Sequence, residues 1–394
     1  MISSEKWQNV KSVVYKLFDI DTDDEISVIE EAEEKIQLPE EYLERFTLYS
    51  LQSKEGLRGR ENGLLSLERA YDNWKIVKAP LLVVTNPGEG ATSLLHASTY
   101  IYPSAKILES HEAIDTYQKL IKYLQKVLLI EEEFKNLKDL KDYIVSKGEE
   151  HVIILENIER LFIRKINGFN LLEDFLLFLH ATKKHIYWII SINKYSFYYL
   201  NRVKFFSSHF PYVITLNPLD NEQLKEDILA RNNGYNLVFL KPNRITKKFE
   251  NQLKKASKEE RQKLLEELYF KKMYDFAKGN MSKAILYARD SAYNVKEKSV
   301  YMKAYEPKVI EDLNLSDLFI LEAIFQHRAL TISELNVVLR NSNRQSRLTI
   351  EKLLEKNLIR ASHNIKGDVE YRINLMYLDE LKNRLRERLN RNIK

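Results

Sequence analysis

The sequence contains no cysteine, which excludes disulfide bonds, thiolate metal sites and cysteine nucleophiles. Its eight histidines form no pair with the spacing H-x-x-x-H, which argues against a zinc hydrolase. No apolar run approaches the roughly 18 residues needed to cross a bilayer. The first ten residues also lack the basic-then-apolar pattern of a signal peptide. We therefore expect a cytoplasmic protein without membrane insertion.

Charge is distributed unevenly along the 394 residues. Residues 1–55 carry 6 basic and 14 acidic side chains, whereas residues 241–310 carry 18 basic and 9 acidic ones. Such opposed segments favour attraction within one chain or between copies, or contact of the basic surface with nucleic acid. The simpler alternative is a set of solvated helix faces.

Glycine is scarce, with 10 residues in the chain, so the close pair at Gly88 and Gly90 is informative. In the first half of the chain, short β-branched apolar runs alternate with amphipathic helical segments. The strands predicted from these runs cover 80–85, 151–155, 186–192 and 212–216. Apolar strands that alternate with helices predict an α/β fold, with a parallel sheet sandwiched by helices.

Most of the remaining chain is predicted to be helical. In the acidic first 55 residues we expect a helix over 7–18 and a short one that ends at Phe46. A further helical stretch is expected over 111–148. Residues 220–300 are expected to be mainly helical and without strands, with a long charged helix over 250–272.

The segment from Thr85 to Leu95 leads from a predicted strand through a glycine-bearing loop into a helix. This is the layout of a phosphate-binding loop, in which backbone N–H groups face phosphates and a hydroxyl reaches Mg²⁺. The usual pattern is G-x-x-x-x-G-K-[ST]. Here Thr85 stands at the first glycine position, Ala91 at the lysine position and Thr92 at the hydroxyl position. A plain strand–turn–helix corner is the simpler alternative.

Ala91 removes the ammonium group that would neutralise charge on the β- and γ-phosphates. Two explanations fit this residue: a natural pseudo-ATPase, or a lysine that was replaced deliberately to trap an inactive state. In both cases we expect turnover to suffer more than binding.

The predicted strand over 151–155 is followed by acidic residues. Glu156 stands where a P-loop NTPase holds the Mg²⁺ shell, and Asn157 stands where a carboxylate often polarises the attacking water. An amide can orient water but cannot take its proton, so we expect hydrolysis to be slow or absent. Glu159 is a candidate substitute, but we expect it to lie outside the edge of the sheet.

Two more polar residues fit the same site. Asn193 ends the predicted strand over 186–192, which should lie between the other two, and its amide would contact the γ-phosphate or water. Lys283 stands near the start of a predicted lid helix, where a cation can reach bound nucleotide. The alternatives are an ordinary turn residue at position 193 and an exposed helix lysine at position 283.

The order of these motifs resembles that of the AAA+/STAND branch of P-loop ATPases. The resemblance rests on G-R-E-N-G-L-L-S-L (59–67), P-G-E-G-A-T-S-L-L (87–95), V-I-I-L-E-N-I-E-R-L-F (152–162), W-I-I-S-I-N (188–193) and G-N-M-S-K-A (279–284). It covers about 56–390. Within that branch, the chain looks most like the ATP-binding modules of large bacterial regulatory and membrane-associated proteins.

The resemblance implies that the chain binds ATP or ADP with Mg²⁺. The residues implied to form the loop site are Gly88, Glu89, Gly90, Ala91, Thr92 and Ser93. Thr92 and Glu156 would hold the metal, with Asn157 beside the reacting phosphate. Asn193 would be the first sensor and Lys283 the second. Arg60 would lie near the adenine or the subunit boundary.

Members of this branch often supply an arginine to a neighbouring subunit just before the fourth strand. Here the tripeptide Ser208-His209-Phe210 occupies that place, so the arginine is missing. His209 remains, and Arg202 is a candidate substitute. The branch further implies a homo-oligomer.

The C-terminal residues, from 306 onward, are predicted to form a winged helix with three helices and a two-stranded wing over 359–373. DNA contacts would come from Arg344, Arg347 and Lys352 on the third helix and from Arg388 on the last helix. Residues 310–394 hold 15 basic and 12 acidic side chains, a small excess for a DNA binder. A protein-facing or autoinhibitory role is the alternative.

The predicted domains are thus an acidic helical segment (1–55), a P-loop domain (56–218), a helical lid (219–305) and a winged helix (306–394). We expect a nucleotide-dependent switch, with protein partners at the acidic segment or the winged helix. A DNA-binding adaptor with a vestigial P-loop and a native ATPase that drives remodelling or DNA transactions are the alternatives.

Overall fold

The computed structural model describes residues 38–391, except for 103, 110–112, 297, 311 and 365; at 388–391 it describes the backbone only. The helix expected over 7–18 lies outside these residues. The described chain divides into two compact units. The core unit comprises residues 48–223, 278–283 and 307–391, and the smaller unit comprises residues 38–47, 224–277 and 284–306. No helix among the described residues is both long and apolar enough to cross a membrane.

The core unit is built on a five-stranded parallel sheet. Its strands are β1 (Leu81–Thr85), β2 (Lys106–Glu109), β3 (His151–Glu156), β4 (Ile186–Asn193) and β5 (Tyr212–Thr215). Their order is β2-β3-β4-β1-β5. The predicted parallel sheet is confirmed, and β4 lies between β1 and β3 as expected. Strand β2 was not predicted, because a four-residue strand with two apolar side chains shows too little periodicity.

Helices cover both faces of this sheet, as the sequence predicts. They are α2 (Glu61–Val77), α3 (Ala91–Ala97), α4 (Tyr117–Leu128), α5 (Leu137–Lys147), α6 (Asn170–Thr182) and α7 (Lys194–Lys204). Successive strand residues point to opposite faces. Leu82 and Trp188 therefore pack with α4 to α7, whereas Leu81 and Tyr187 pack with α2 and α3. The helical stretch expected over 111–148 is two helices, because α4 ends at Leu129 in a left-handed conformation.

The smaller unit contains a three-stranded sheet, so the prediction that residues 220–300 lack strands is wrong. The strands are β6 (Asn236–Leu240), β7 (Ala292–Lys296) and β8 (Ser299–Lys303). The helices of this region are α1 (Glu40–Glu44), α8 (Asn221–Arg231), α9 (Lys247–Lys255), α10 (Lys258–Ala277) and α11 (Met281–Ser291). Each strand has only five residues and lies among long charged helices, where a period of two is hard to detect.

The charged helix expected over 250–272 is interrupted. The Ser257 N–H donates to the Glu260 carboxylate at 2.9 Å, and the Glu260 N–H donates back to the Ser257 hydroxyl at 3.3 Å. This reciprocal pair is a capping box, which starts a new helix. Helices α9 and α10 are therefore separate.

The C-terminal segment, residues 307–391, packs within the core unit. Its helices are α12 (Leu315–His327), α13 (Ile332–Leu339), α14 (Asn343–Glu355) and α15 (Leu378–Arg391). Its strands are β9 (Leu330–Thr331), β10 (Ile359–His363) and β11 (Val369–Ile373), which form an antiparallel sheet in the order β10-β11-β9. The three helices and the hairpin follow one another as the sequence predicts. Capping boxes begin α12, α13 and α14 at Asn314, Thr331 and Ser342.

Candidate functional site

The glycine loop between β1 and α3 has two left-handed residues, Gly88 (φ 85°) and Gly90 (φ 83°). A Cβ on Gly88 would lie 2.8 Å from Asn280 Oδ1 and 2.9 Å from Ser282 Cβ. A Cβ on Gly90 would meet nothing within 4 Å. Gly90 is also the N-cap of α3, where no side chain caps the helix. The loop is thus packed at Gly88 and open at Gly90.

Arg60 anchors the backbone of the glycine loop. Its guanidinium donates to the backbone oxygens of Glu89, at 2.7 Å, and of Asn217, at 2.5 Å. The side chain is 5% exposed, and burial lowers its pKa from the usual value. Arg60 was expected near the adenine or a subunit boundary. The structure places its guanidinium against the loop, whose backbone it anchors.

The other side of the loop is held by residues just before α11. Asn280 Nδ2 donates to Pro87 O at 2.8 Å, and the Ser282 N–H donates to Gly88 O at 3.1 Å. The loop also binds itself, since the Glu89 carboxylate accepts from Asn86 N at 2.8 Å. These bonds give three loop carbonyl or carboxylate groups partners within the chain.

Thr92 and Glu156 meet beside this loop. Thr92 is in the first turn of α3 and Glu156 is the last residue of β3. The Thr92 hydroxyl donates to Glu156 Oε2 at 2.7 Å. The neighbouring Ser93 hydroxyl instead accepts from the Leu51 N–H at 3.0 Å. Of the two adjacent hydroxyls, therefore, that of Thr92 binds Glu156 at the end of β3, and that of Ser93 binds the backbone at Leu51.

Asn157 and Asn193 lie at the ends of neighbouring strands. Asn157 has a left-handed backbone (φ 63°), and its N–H donates to Ser191 Oγ at 3.2 Å. Asn193 caps α7 by accepting from Tyr195 N and Ser196 N. Its amide nitrogen donates to Glu159 Oε1 at 3.1 Å. The side chain of Asn193 is thus fully engaged within the chain.

Glu159 is buried against the end of β4, although we expected it to lie outside the edge of the sheet. It is 1% exposed, and its Oε2 accepts from the Asn193 N–H at 3.4 Å. The reason is that residues 158–161 form a single tight turn after β3, which carries Glu159 back to the end of β4. Glu159 therefore lies close to the strand ends, although it is three residues beyond Glu156 in the chain.

Sequence reasoning did not find that the C-terminal segment contributes to this region. Arg160 pairs with Glu370 of β11 at 2.7 Å, and both side chains are buried. Arg328, which follows α12, donates to Asn157 Oδ1 and lies 3.9 Å from Glu159 Oε1. Because these partners are about 170 to 210 positions apart, no local pattern could have indicated them.

Lys283, the expected second sensor, lies next to the loop through Ser282. Its side chain is 3% exposed, and its ammonium group pairs with Asp379 of α15. Burial lowers the pKa of Lys283, while the hydrogen bond to Asp379 opposes that shift. The alternative, an exposed helix lysine, is therefore wrong.

The two candidate residues for intersubunit contact differ in exposure. Arg202 is exposed near the end of α7. His209 is half-buried, with its ring 5.5 Å from that of His180, and burial lowers its pKa.

The residues expected to contact nucleic acid differ in exposure and in partners. Arg344 and Arg347 are exposed on α14. Lys352 instead pairs with the buried Asp317 at 2.6 Å. The side chain of Arg388 lies outside the described residues.

No family model and no curated protein matches the sequence. The structure is similar to a Walker-type ATPase of Pyrococcus abyssi, at 14% identity and a TM-score of 0.43, over 86% of this chain and 99% of that one. It is similar to ORC2 of Aeropyrum pernix in ADPNP-ADP complexes, at 11% identity and a TM-score of 0.45, over 86% and 97%. ORC1 of Aeropyrum pernix in complex with DNA matches at 13% identity and a TM-score of 0.44, over 84% and 94%.

Proposed function

We propose that this chain is a nucleotide-dependent switch of the AAA+/STAND type, which binds ATP or ADP with Mg²⁺ at the loop over 85–92. One observation carries the proposal. The Thr92 hydroxyl and the Glu156 carboxylate, from the ends of two different elements, lie 2.7 Å apart beside a glycine loop that is open at Gly90. A hydroxyl and a carboxylate are the side-chain ligands that a nucleotide-bound Mg²⁺ takes in a P-loop site.

The residues present fit a phosphate ligand. The first turn of a helix leaves N–H groups without intrahelical partners, and here no side chain caps them. The position of a Cβ on Gly90 has no neighbouring atom within 4 Å, so the approach to the loop is open there. When bound, Mg²⁺ would supply charge neutralisation that Ala91 cannot. The chain's own contribution is to bring Thr92, in the first turn of α3, to Glu156 at the end of β3.

We further propose that hydrolysis is weak in this chain. Ala91 provides no cation at the lysine position. Asn157 cannot accept a proton, and its Oδ1 already accepts from Arg328. Glu159 is the nearest carboxylate of this turn to the end of β4, but Asn193 donates to both of its oxygens. Binding without turnover suits a switch, since the bound state then persists.

The switch would act through the C-terminal segment. This segment contacts the end of β3 through Arg328 and the loop region through the Lys283–Asp379 pair. A ligand shifts an equilibrium only through contacts that differ between two states. A nucleotide that changes either contact would change how firmly the segment is held, and so how far its surface is offered to a protein partner or to a second copy.

Equilibrium binding of ATP and ADP, with and without Mg²⁺, tests the proposal. We expect measurable affinity that Mg²⁺ increases, and a further increase in an Ala91→Lys variant of about tenfold. The matched pair is Thr92→Val against Ser93→Ala, since only the first hydroxyl bonds Glu156. Thr92→Val should remove the Mg²⁺ effect, and Ser93→Ala should keep it.

The proposal fails if neither the chain nor Ala91→Lys binds nucleotide at millimolar concentration. It also fails if Thr92→Val and Ser93→Ala behave alike. Self-association belongs to the same proposal: light scattering should show a larger mass with ATP than without, and Arg202→Ala should reduce that change.

A second candidate function is DNA binding by the C-terminal segment. It is favoured by Arg344 and Arg347, which are both exposed on the first two turns of α14. Phosphate contacts make affinity fall steeply with salt. DNA affinity that is insensitive to salt, or unchanged by Arg344→Ala with Arg347→Ala, would reject this function. Lys352→Ala is the control for lost charge, because Lys352 is occupied by Asp317.

A further inference from the structure

The turn that follows α12 is strained at Arg328. This residue has φ 68° and ψ −46°, and the Ala329 N–H donates to His327 O at 2.8 Å. A bond from residue i+2 back to residue i around a positive φ is the rarer, strained kind of γ-turn. Such strain persists only where the surroundings fix the backbone, and it is concentrated at functional sites. Arg328 is therefore held in place by its neighbours.

The two flanking residues supply that restraint. His327 Nε2 accepts from the Arg164 N–H at 3.1 Å, while its Nδ1 lies 2.8 Å from Ala323 O. On the other side, Ala329 O accepts from Arg160 at 3.2 Å. Both partners belong to the chain just after β3. The side chain of Arg328 is consequently aimed at the end of the strand that carries Glu156.

Arg328 shares a charged cluster with two other guanidinium groups, those of Arg160 and Arg372, and with the buried carboxylates of Glu159 and Glu370. Glu370 is shared by Arg160 at 2.7 Å and Arg372 at 3.5 Å. Glu159 is 3.9 Å from Arg328 and also accepts from Asn193. The like charges of Arg328 and Arg160 help to lower the pKa of Arg372, after the effect of burial. Among the described residues, Arg160 is held by Glu370 at 2.7 Å, whereas Arg328 has only the longer approach to Glu159 besides its bond to Asn157.

We propose that Arg328 binds the terminal phosphate of a nucleoside triphosphate within the same chain, and so makes the site prefer triphosphate to diphosphate. This inference rests on the proposed nucleotide site. Arg328 binds Asn157, which directly follows the proposed metal ligand Glu156. Its guanidinium therefore lies at the end of the strand that would hold the metal. Its side chain is 36% exposed, which leaves room for a second partner. Arginine is the side chain best suited to a phosphate, because its planar fork donates two hydrogen bonds.

The ratio of ATP to ADP affinity in the full chain tests this inference, with Arg328→Gly as the main variant. Glycine adopts a positive φ without strain, so this variant should fold and its melting temperature should not fall. We expect ATP affinity to drop about tenfold or more, with ADP affinity within about twofold. Arg328→Lys should keep part of the preference, because it keeps the charge without the fork.

Arg372→Gln is the matched control, since it removes the same charge from the same cluster but has no bond to Asn157. It should leave the ATP-to-ADP ratio unchanged. The inference is overturned if Arg328→Gly changes both affinities equally or neither, or if Arg372→Gln alters the ratio as much. Those results would leave the nucleotide site intact. Absence of binding to the chain and to Ala91→Lys would instead overturn the proposed function, and this inference with it.

Discussion

Arg160 and Glu370 form an ion pair of 2.7 Å between side chains that are 3% and 2% exposed. Arg160 belongs to the turn after β3, and Glu370 to β11 of the C-terminal segment. The pair therefore joins the end of a sheet strand to an element 210 positions later. Arg160 uses a second nitrogen to hold Ala329 O, so one guanidinium fixes two parts of the C-terminal segment.

Removing one partner of this pair should be costly. Without Glu370, Arg160 is left buried without its counterion, and without Arg160, Glu370 keeps only the longer contact with Arg372 at 3.5 Å. We expect Arg160→Met or Glu370→Leu alone to lower the free energy of unfolding by about 3–5 kcal/mol. The double variant should recover much of that loss, since no isolated charge is left behind. Urea denaturation of the four proteins gives the coupling energy. Additive losses would mean that the pair contributes no interaction of its own.

The two loop glycines should fail in different ways when each is changed to alanine. Both have positive φ, which costs an L-residue about 1–2 kcal/mol. Gly88→Ala also meets Asn280 and Ser282 and should lose about 1–3 kcal/mol more stability through overpacking. Gly90→Ala has no such contact, so it should weaken nucleotide binding with little further loss of stability. Thermal unfolding and nucleotide titration together separate the two. Equal stability losses would contradict the packing difference.

His327 should make stability depend on pH. Burial lowers the pKa of His327 to about 4, and the charges of Arg164 and Arg160 act in the same direction. Between pH 4 and the ordinary value of 6.5, the unfolded chain takes up a proton that the folded chain does not. Stability should therefore be full above about pH 6.5 and fall by about 3 kcal/mol as the pH drops towards 4.

Denaturation of wild type and His327→Gln across this pH range measures the effect. Glutamine can still accept from the Arg164 N–H but does not titrate, so the difference in unfolding free energy between the two proteins should shrink as the pH falls. A constant difference would show that His327 does not titrate as described.

Asp379 should oppose anion binding beside the loop. It pairs with Lys283, whose backbone follows Ser282, a partner of Gly88. Asp379→Asn removes a negative charge there and should raise nucleotide affinity roughly threefold to tenfold. The control is Glu380→Gln, which removes the same charge one residue along α15, where its partner is Arg384 at 3.5 Å. Equal effects of the two variants would show that nucleotide affinity responds only to the net charge of the chain and not to the position of Asp379.

Local sequence was sufficient for four of the five strands of the parallel sheet and for the loop. The runs at 81–84, 152–155 and 186–190 are apolar throughout, because a parallel strand buried on both faces favours apolar side chains at successive positions. The C-terminal helices were predictable because capping boxes mark their starts within four residues. Strands β6 to β8 were missed because five-residue segments give too few repeats to outweigh charged neighbours.

The sequence by itself thus determined that a glycine loop, a hydroxyl and an acidic strand end occur in the order of a phosphate-binding fold, and that position 91 lacks a cation. Tertiary structure alone decided which of those groups meet. It brings Thr92 to Glu156, turns Ser93 away to Leu51, and carries Arg328 to Asn157. The physical reason is range: backbone propensity and periodicity act over a few residues, whereas hydrogen bonds and ion pairs between distant residues exist only once packing has fixed both backbones.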